Sequence, residues 1–447
     1  MAMAGKRLIV TVLGGGSYFT PSFVGTMCRR QEVYGGAEMR LHDPDAGRVT
    51  LVKAFCEKFV RSRGAEMSFV ETPDLDRSLD GADFVITTFR IGGLKSLALD
   101  ESLPPRFGYY GEETAGPGGL FMAMRTVPVI LDVARRMERG CPRAWLINYA
   151  NPTNFLGDAL QRSGCRRWVS LCDGYTGPPR TIGLSLGLDP ARITTRHAGI
   201  NHCSWVYEAT CDGRDLLEEM RRMDSRTFEA NLLSVDAPAR HRFQRWMEIF
   251  RTMGLYPTPS GHVEPYFYYD EWVEAQRERS DNRLQRQEEA EAKKWDRVKA
   301  VLNKWDEEAA AEIARTHASA HADLAIGVMA ALATDSGEIF PVNVPQRGAV
   351  PGFSPETVLE LYSKVASKGF EPQPVPAFPR AVLVQQSHLV GFEELAVTGI
   401  LAKSRQTLLE ALCVHPFTRS LAKARALFET MWKEELEQGA LGAYWAS

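Results

Sequence analysis

The feature that most constrains this chain is an aliphatic run that ends on glycines. Leu8-Ile9-Val10-Thr11-Val12-Leu13 passes directly into Gly14-Gly15-Gly16-Ser17, and a helical stretch follows from about Pro21 to Arg30. A short, continuous aliphatic run bounded by turn residues reads as a strand buried on both faces, as in a parallel sheet. Gly14 permits the tight turn, Gly16 lets backbone amides approach a ligand closely, and the next helix points its N-terminus into the same space. That strand-turn-helix context is the one a dinucleotide pyrophosphate needs. The third glycine of the usual fingerprint is missing; Phe19 or Thr20 stands near its place.

A second strand-like segment, Met39-Arg40-Leu41-His42-Asp43, ends on a carboxylate. A carboxylate there accepts a hydrogen bond from a ribose 2′-hydroxyl and repels a 2′-phosphate, which favours NAD over NADP. Gly14, Gly15, Gly16, Ser17, Tyr18, Phe19 and Asp43 are therefore the expected cofactor-binding residues. The bland alternative is a glycine turn with a capping aspartate.

Further strand-like segments at Ser68-Glu71, Phe84-Thr88, Trp145-Asn148 and Val169-Cys172 alternate with helical stretches around Val49-Arg63 and Val127-Glu138. This βαβ rhythm predicts an α/β fold with a Rossmann-type, doubly wound parallel sheet and right-handed crossovers. The second half reads differently. Glu274 to Asp306 is charged and helical, His317 to Ala333 is an Ala-rich buried helix, and Phe392 to Trp432 is a long helical region. Pro345-Pro351 and Glu371-Pro379 read as loops. The expected organisation is a nucleotide-binding domain over 1–195 and a mixed, mostly helical substrate-, metal- and oligomer-forming domain over 196–447, interleaved rather than joined by a flexible linker. Together they make a lactate/malate-dehydrogenase-like architecture.

Composition sets the partners. The chain has 447 residues, 44% hydrophobic and 24% charged, with a formal net charge of -3. No field of that size recruits nucleic acid or an anionic membrane. Lys6-Arg7 leads straight into the first strand with no cleavage-site pattern, and no run of about 20 apolar residues stands out, so a cytoplasmic location is expected. The eight cysteines include no C-x-x-C pair, which argues against a disulfide framework or structural zinc.

Polar residues cluster where strands end, the place where open α/β sheets bind ligands. Arg90 follows Phe84-Thr88; its fork suits an anionic or hydroxylated substrate, the alternative being a pair with Glu101 or Asp100. The Gly111 to Gly119 loop holds so many glycines that its backbone is expected to approach a ligand, or else to be a linker. Asn151 follows the Trp145-Asn148 strand and is placed to bond a hydroxyl or to cap a helix. Cys172 ends another strand, and His202 follows Gly199-Ile200-Asn201. A thiolate and an imidazole can hold a divalent ion whose remaining positions the substrate fills; read alone, they are equally a buried thiol and a satisfied histidine.

Together these motifs resemble one family, the NAD- and divalent-metal-dependent family 4 glycoside hydrolases, in its 6-phospho-glucosidase-like branch. The matching pieces are Gly14 to Pro21, Arg90-Ile91-Gly92-Gly93, the Gly111 to Gly119 loop with Arg125-Thr126-Val127-Pro128, Asn148 to Pro152, Cys172, Asn201-His202 and Val342-Asn343-Val344-Pro345. The resemblance implies that Cys172 and His202 ligate Mn²⁺ or a similar ion, that Asn151 holds substrate hydroxyls, that Asp173 is an acid, and that Arg283 contacts a substrate phosphate. It implies a base within Ser260 to Tyr269, either His262 or Tyr266, with Tyr268 a further possibility. Gly174-Tyr175 after Asp173 and Gln346 after Pro345 depart from the family's usual pattern.

The resemblance further implies a glycoside substrate, 6-phosphorylated or not, of α, β or even thio linkage. The implied route takes hydride from C3 to NAD⁺, acidifies and removes the C2 proton, expels the C1 substituent, adds water and returns the hydride, so NAD is regenerated each turnover. It lies outside the two-carboxylate scheme of most glycosidases. A homodimer or homotetramer is expected. The rival reading is a plain NAD-dependent dehydrogenase of a hydroxy acid or sugar; a non-catalytic nucleotide sensor leaves Asn151, Asp173 and His262 unexplained.

Overall fold

The first strand forms where the aliphatic run predicts it. In the computed structural model, which describes residues 6–445 apart from 234, 260–261, 280–281 and 316–318, β1 is Ile9–Leu13. Chain order then gives β2 (Ala37–His42), β3 (Met67–Glu71), β4 (Phe84–Thr87), β5 (Trp145–Asn148), β6 (Trp168–Ser170), β7 (Thr194–Ala198), β8 (Trp205–Cys211), β9 (Arg214–Asp215), β10 (Tyr256–Pro257), β11 (Glu338–Pro345), β12 (Val358–Ala366) and β13 (Gly369–Pro372). The main sheet runs β13-β12-β11-β6-β5-β4-β1-β2-β3. Its portion from β6 to β3 is parallel, in the doubly wound nucleotide-binding order.

Alternate side chains of these strands bury on opposite faces. Val10, Val12, Phe84, Ile86 and Ile147 enter one core; Leu13, Val85 and Leu146 enter the other. Burial on both sides is why these strands read as unbroken apolar runs rather than alternating ones. The first core is closed by helices Thr20–Cys28, Ala46–Ser62 and Ser319–Thr334, the second by Pro117–Gly140, Thr153–Arg162 and the C-terminal helices.

The C-terminal half does not sit apart from this sheet. β11, β12 and β13 add to it antiparallel, beginning with the pairing of Asn343 and Ser170. A smaller antiparallel sheet, β10-β8-β7 with β9 on β8, is tied back by a backbone bridge between Gly199 and Glu360.

Several element boundaries differ from the sequence reading. The helix expected over 127–138 spans Pro117–Gly140, because Gly116-Pro117 starts it directly from the glycine-rich loop. It is long and apolar enough to cross a membrane, which the sequence reading did not anticipate, but it is mostly buried within the fold. The region 392–432 is three helices, Arg380–Leu401, Arg405–Val414 and Leu421–Glu437, broken where Ser404 and Ser420 cap the next helix through their side chains. The charged stretch 274–306 falls in two helices, Tyr269–Arg279 and Arg283–Asn303. His317, at the start of the Ala-rich helix, and Ser260-Gly261, at the start of the expected base segment, lie outside the described residues.

Candidate active site

The glycine turn after β1 is built for close approach. Gly14 has φ +91°, and its N–H and that of Gly15 both donate to the His42 carbonyl at 2.9 Å. A Cβ on Gly14 would lie 2.7 Å from Thr88 Oγ1, and one on Gly15 2.8 Å from Leu41 Cα. Gly16 donates its N–H to Asp43 Oδ2 at 3.2 Å, so the carboxylate predicted to read a ribose stands at the fingerprint loop. In place of a third glycine, Phe19 precedes the helix and donates its N–H to Ser17 Oγ at 3.2 Å; Thr20 Oγ1 donates to the Gly15 carbonyl. Tyr18 sits edge-on to Trp295 with ring centroids 5.9 Å apart.

This loop meets the next cluster through a residue the sequence reading missed. His321 lies edge-on to Phe19 at 5.2 Å and to Tyr149 at 5.1 Å, and its Nδ1 is 3.1 Å from Asp173 Oδ2. Asp173 and Cys172 follow β6. His321 thus touches both the nucleotide loop and the segment that carries Cys172 and Asp173.

His202 is brought to Cys172 by a strained turn. It has φ +70°, a conformation that non-glycine residues rarely adopt. The turn is clamped from a distance in sequence. Asn201 donates to Glu360 Oε1 at 3.2 Å, Ser204 donates to Glu360 Oε2 at 3.2 Å, and Gln386 accepts from Ile200 N–H at 2.7 Å while donating to the Cys203 carbonyl at 2.8 Å. Burial works to lower the pKa of His202, but the neighbouring Cys172 and Glu112 outweigh it and hold the imidazole well above the usual histidine range.

Glu112 is the second group the sequence reading passed over, although it lies in the glycine-rich loop. Its carboxylate accepts from the N–H groups of Thr114 (2.9 Å), Ala115 (2.5 Å) and Gly116 (2.6 Å) at the start of the helix Pro117–Gly140. Oε1 lies 2.8 Å from His262 Nδ1 and 3.8 Å from His202 Nδ1. Burial works to raise its pKa, but the two histidines outweigh burial and hold it well below the usual carboxylate range. The loop is locked by His415, whose Nδ1 accepts from Phe417 N–H, leaving Nε2–H to donate to the Ala115 carbonyl at 3.0 Å. Burial pushes His415 down to about 4, so it stays neutral in that role. Gln276 fixes the other end, bonding both the N–H and the carbonyl of Gly111.

Glu112, His202 and His262 offer donor atoms within 4.8 Å of one another, and Cys172 adjoins them through His202. Imidazole, carboxylate and thiol donors on facing elements are a set that suits a first-row divalent cation. The two base candidates separate. His262 lines the cavity in front of this cluster. Tyr266 stacks on Phe417 at 4.5 Å, and burial, with Cys203 beside it, holds its pKa well above the usual tyrosine range. Tyr268 donates to Glu248 at 2.5 Å on an exposed surface.

The remaining residues are placed as follows. Asn151 accepts from Thr153 Oγ1 at 2.8 Å and is half-buried after β5, where Asn148 bonds Thr87, Ala150 and Ser170. Arg90 pairs with Glu113 rather than with Glu101 or Asp100. Arg283 pairs with Glu101.

Comparison with known proteins agrees with this geometry. The chain is 28% identical over 431 residues to a probable 6-phospho-beta-glucosidase of Bacillus subtilis (strain 168), covering 95% of this chain and 96% of that protein. A crystal structure of a 6-phospho-alpha-glucosidase from gut microorganisms, in complex with NAD and Mn²⁺, superposes with a TM-score of 0.81 at 23% identity, covering 97% of this chain and 99% of that one. Lactate dehydrogenase from Eimeria maxima, solved with NADH and oxamate, shares the fold at a TM-score of 0.56 and 12% identity, covering 89% and 96% of the two chains. Residues 9–186 match the model of the family 4 glycosyl hydrolases and residues 197–418 the model of that family's C-terminal domain, so the chain belongs to family 4 and is a hydrolase of glycosidic bonds rather than a plain dehydrogenase.

Proposed function

We propose that this enzyme cleaves O-glycosides of the glucoside type by the NAD-dependent oxidation and elimination route. The observation that carries the reading is the contact chain from Phe19 through His321 to Asp173, which joins the nucleotide loop to the Cys172 and His202 cluster. The solved relative holding both NAD and Mn²⁺ supports the same pair of cofactors here. The glycine turn fits a dinucleotide, since side chains there would fill the space that backbone amides need. The donor cluster fits a divalent cation.

Bound NAD⁺ would supply a hydride acceptor, and a bound cation would supply Lewis-acid polarisation of substrate oxygens. Cys172 and His202 hold the cation, with Glu112 in reach. Asn151 orients sugar hydroxyls. His262 is the base for the C2 proton: Glu112 faces its Nδ1 and leaves the other ring nitrogen for substrate. Tyr266, the alternative base, has its hydroxyl held protonated by burial. Asp173, oriented by His321, donates a proton to the departing group. The nucleotide-binding portion is residues 1–195; residues 196–447 supply His202 and His262 and the subunit contacts of a homodimer or homotetramer. The enzyme acts in the cytoplasm on small-molecule glycosides, without nucleic acid or membrane.

The test is hydrolysis of chromogenic glucosides with NAD⁺ and Mn²⁺ supplied together or singly, run in D₂O. Cleavage that needs both, with deuterium at C2 of the product and no NADH accumulation, is expected. Steady NADH formation without cleavage would overturn the reading.

A further inference from the structure

The cavity in front of His262 and Glu112, about 510 Å³, is lined by Arg283, Arg245 and Arg242 and by the carboxylates of Glu101, Glu113 and Glu271. Arg283 pairs with Glu101, Arg90 with Glu113, and Arg245 with Glu271. In the first two pairs the carboxylate is the deeper group: Glu101 and Glu113 side chains are 17% and 19% exposed, against 41% for Arg283 and 32% for Arg90. One layer further in, Arg125 is matched twice, by Asp100 and Glu435. His241 and Arg242, the latter without an ion pair among the described residues, are exposed on the helix Ala237–Met253 at the rim.

A phosphate monoester is bound by guanidinium or ammonium groups whose charge is free to meet it. For Arg283 or Arg90 to meet a dianion, the guanidinium has to leave its partner, and Glu101 or Glu113 then stands without its cation beside the phosphate. Like charges set side by side in a partly buried site are strongly unfavourable. A hydroxymethyl group meets no such obstacle. It donates to a carboxylate oxygen while both ion pairs stay intact.

We infer that this enzyme takes its glycoside unphosphorylated at C6, and that Glu101 and Glu113, by neutralising Arg283 and Arg90, exclude the 6-phosphate. The inference rests on the reading of this cavity as the glycoside site. It separates this chain in substrate class from the 6-phospho-glucosidases it resembles, although it retains the arginine that the resemblance assigns to phosphate.

The test uses the purified full chain with NAD⁺ and Mn²⁺ and 4-nitrophenyl α- and β-glucosides, with and without a 6-phosphate. kcat/KM is expected to favour the unphosphorylated glucoside by about tenfold or more. Glu101→Gln and Glu113→Gln release a guanidinium at nearly constant volume and are expected to shift the ratio toward the phosphorylated substrate by about tenfold. Calorimetry on the same loaded protein compares glucose with glucose 6-phosphate, and weaker binding of the phosphate is expected. Equal handling of the two glucosides, or a preference for the 6-phosphate, overturns the inference. If no glucoside is cleaved, the hydrolase reading is what fails, and calorimetry still decides the charge preference. If the variants do not fold, the unmodified enzyme decides it alone.

Discussion

His262 Nδ1 lies 2.8 Å from Oε1 of Glu112, a carboxylate already gripped by three successive backbone N–H groups. A base whose far nitrogen faces an immobile carboxylate has its ring orientation set before substrate arrives. Removing the carboxylate's charge should therefore damage turnover more than binding. Glu112→Gln and His262→Gln are expected to lower kcat by about 100-fold or more, the usual worth of a positioned base. Tyr266→Phe is expected to keep kcat within a fewfold, because burial holds its hydroxyl protonated. A collapse of kcat in Tyr266→Phe with little effect in His262→Gln would reverse the assignment.

Cation binding separates from base function. Cys172→Ser and His202→Ala are expected to lose Mn²⁺ affinity by at least about tenfold, read by the signal of free Mn²⁺ in electron paramagnetic resonance during titration without substrate. His262→Gln is expected to bind Mn²⁺ close to the unmodified affinity. Loss of the ion in His262→Gln would make His262 a ligand instead.

The nucleotide turn makes a steric prediction. A side chain on Gly14 enters a backbone at φ +91° and places its Cβ 2.7 Å from Thr88 Oγ1. Gly14→Ala is expected to weaken NAD⁺ binding by about tenfold or more and to lower thermal stability, since both the conformation and the contact are unfavourable. Asp43→Ala is expected to narrow the preference for NAD⁺ over NADP⁺ by removing the repelling carboxylate. Titration of both nucleotides by fluorescence checks each point.

The buried Arg125 triad predicts how stability follows pH. Arg125 reaches Asp100 and Glu435 at 2.5 Å, with all three side chains buried. Burial pushes Glu435 up from 4.5 to about 8 and Asp100 up from 3.8 to about 6, against the lowering effect of Arg125. A carboxyl raised on folding contributes stability that is full below its unfolded pKa and is lost as pH rises through its folded pKa. These two groups therefore favour folding most below about pH 4 and lose that contribution progressively up to about pH 8. Glu435→Gln is expected to flatten the fall in Tm between pH 5 and 9, measured by calorimetry. Arg125→Met leaves two buried carboxyls without their cation and is expected to cost about 3–5 kcal/mol.

The sheet was readable because its strands are short apolar runs ended by glycines or by polar residues at strand tips. Leu8 to Leu13 and Phe84 to Thr88 gave β1 and β4 almost to the residue. The helix 117–140 was trimmed in reading because Gly118 and Gly119 suit a loop as well as a first helical turn. The long helical region expected over 392–432 hid two serine caps.

The site divides in the same way. Local order along the chain determined Gly14, Gly16 and Asp43, because a βαβ unit brings them together within one turn of fold. It also placed Cys172 at a strand end and His202 after a glycine. What only the tertiary structure decided were meetings across long separations. Glu112 stands against His262, His321 against Asp173, Tyr266 against Cys203 and Glu101 against Arg283. Neither hydrophobic period nor spacing encodes such pairs. Each depends on how segments far apart in the chain pack together, and it is that packing which sets whether a carboxylate orients a base or silences an arginine.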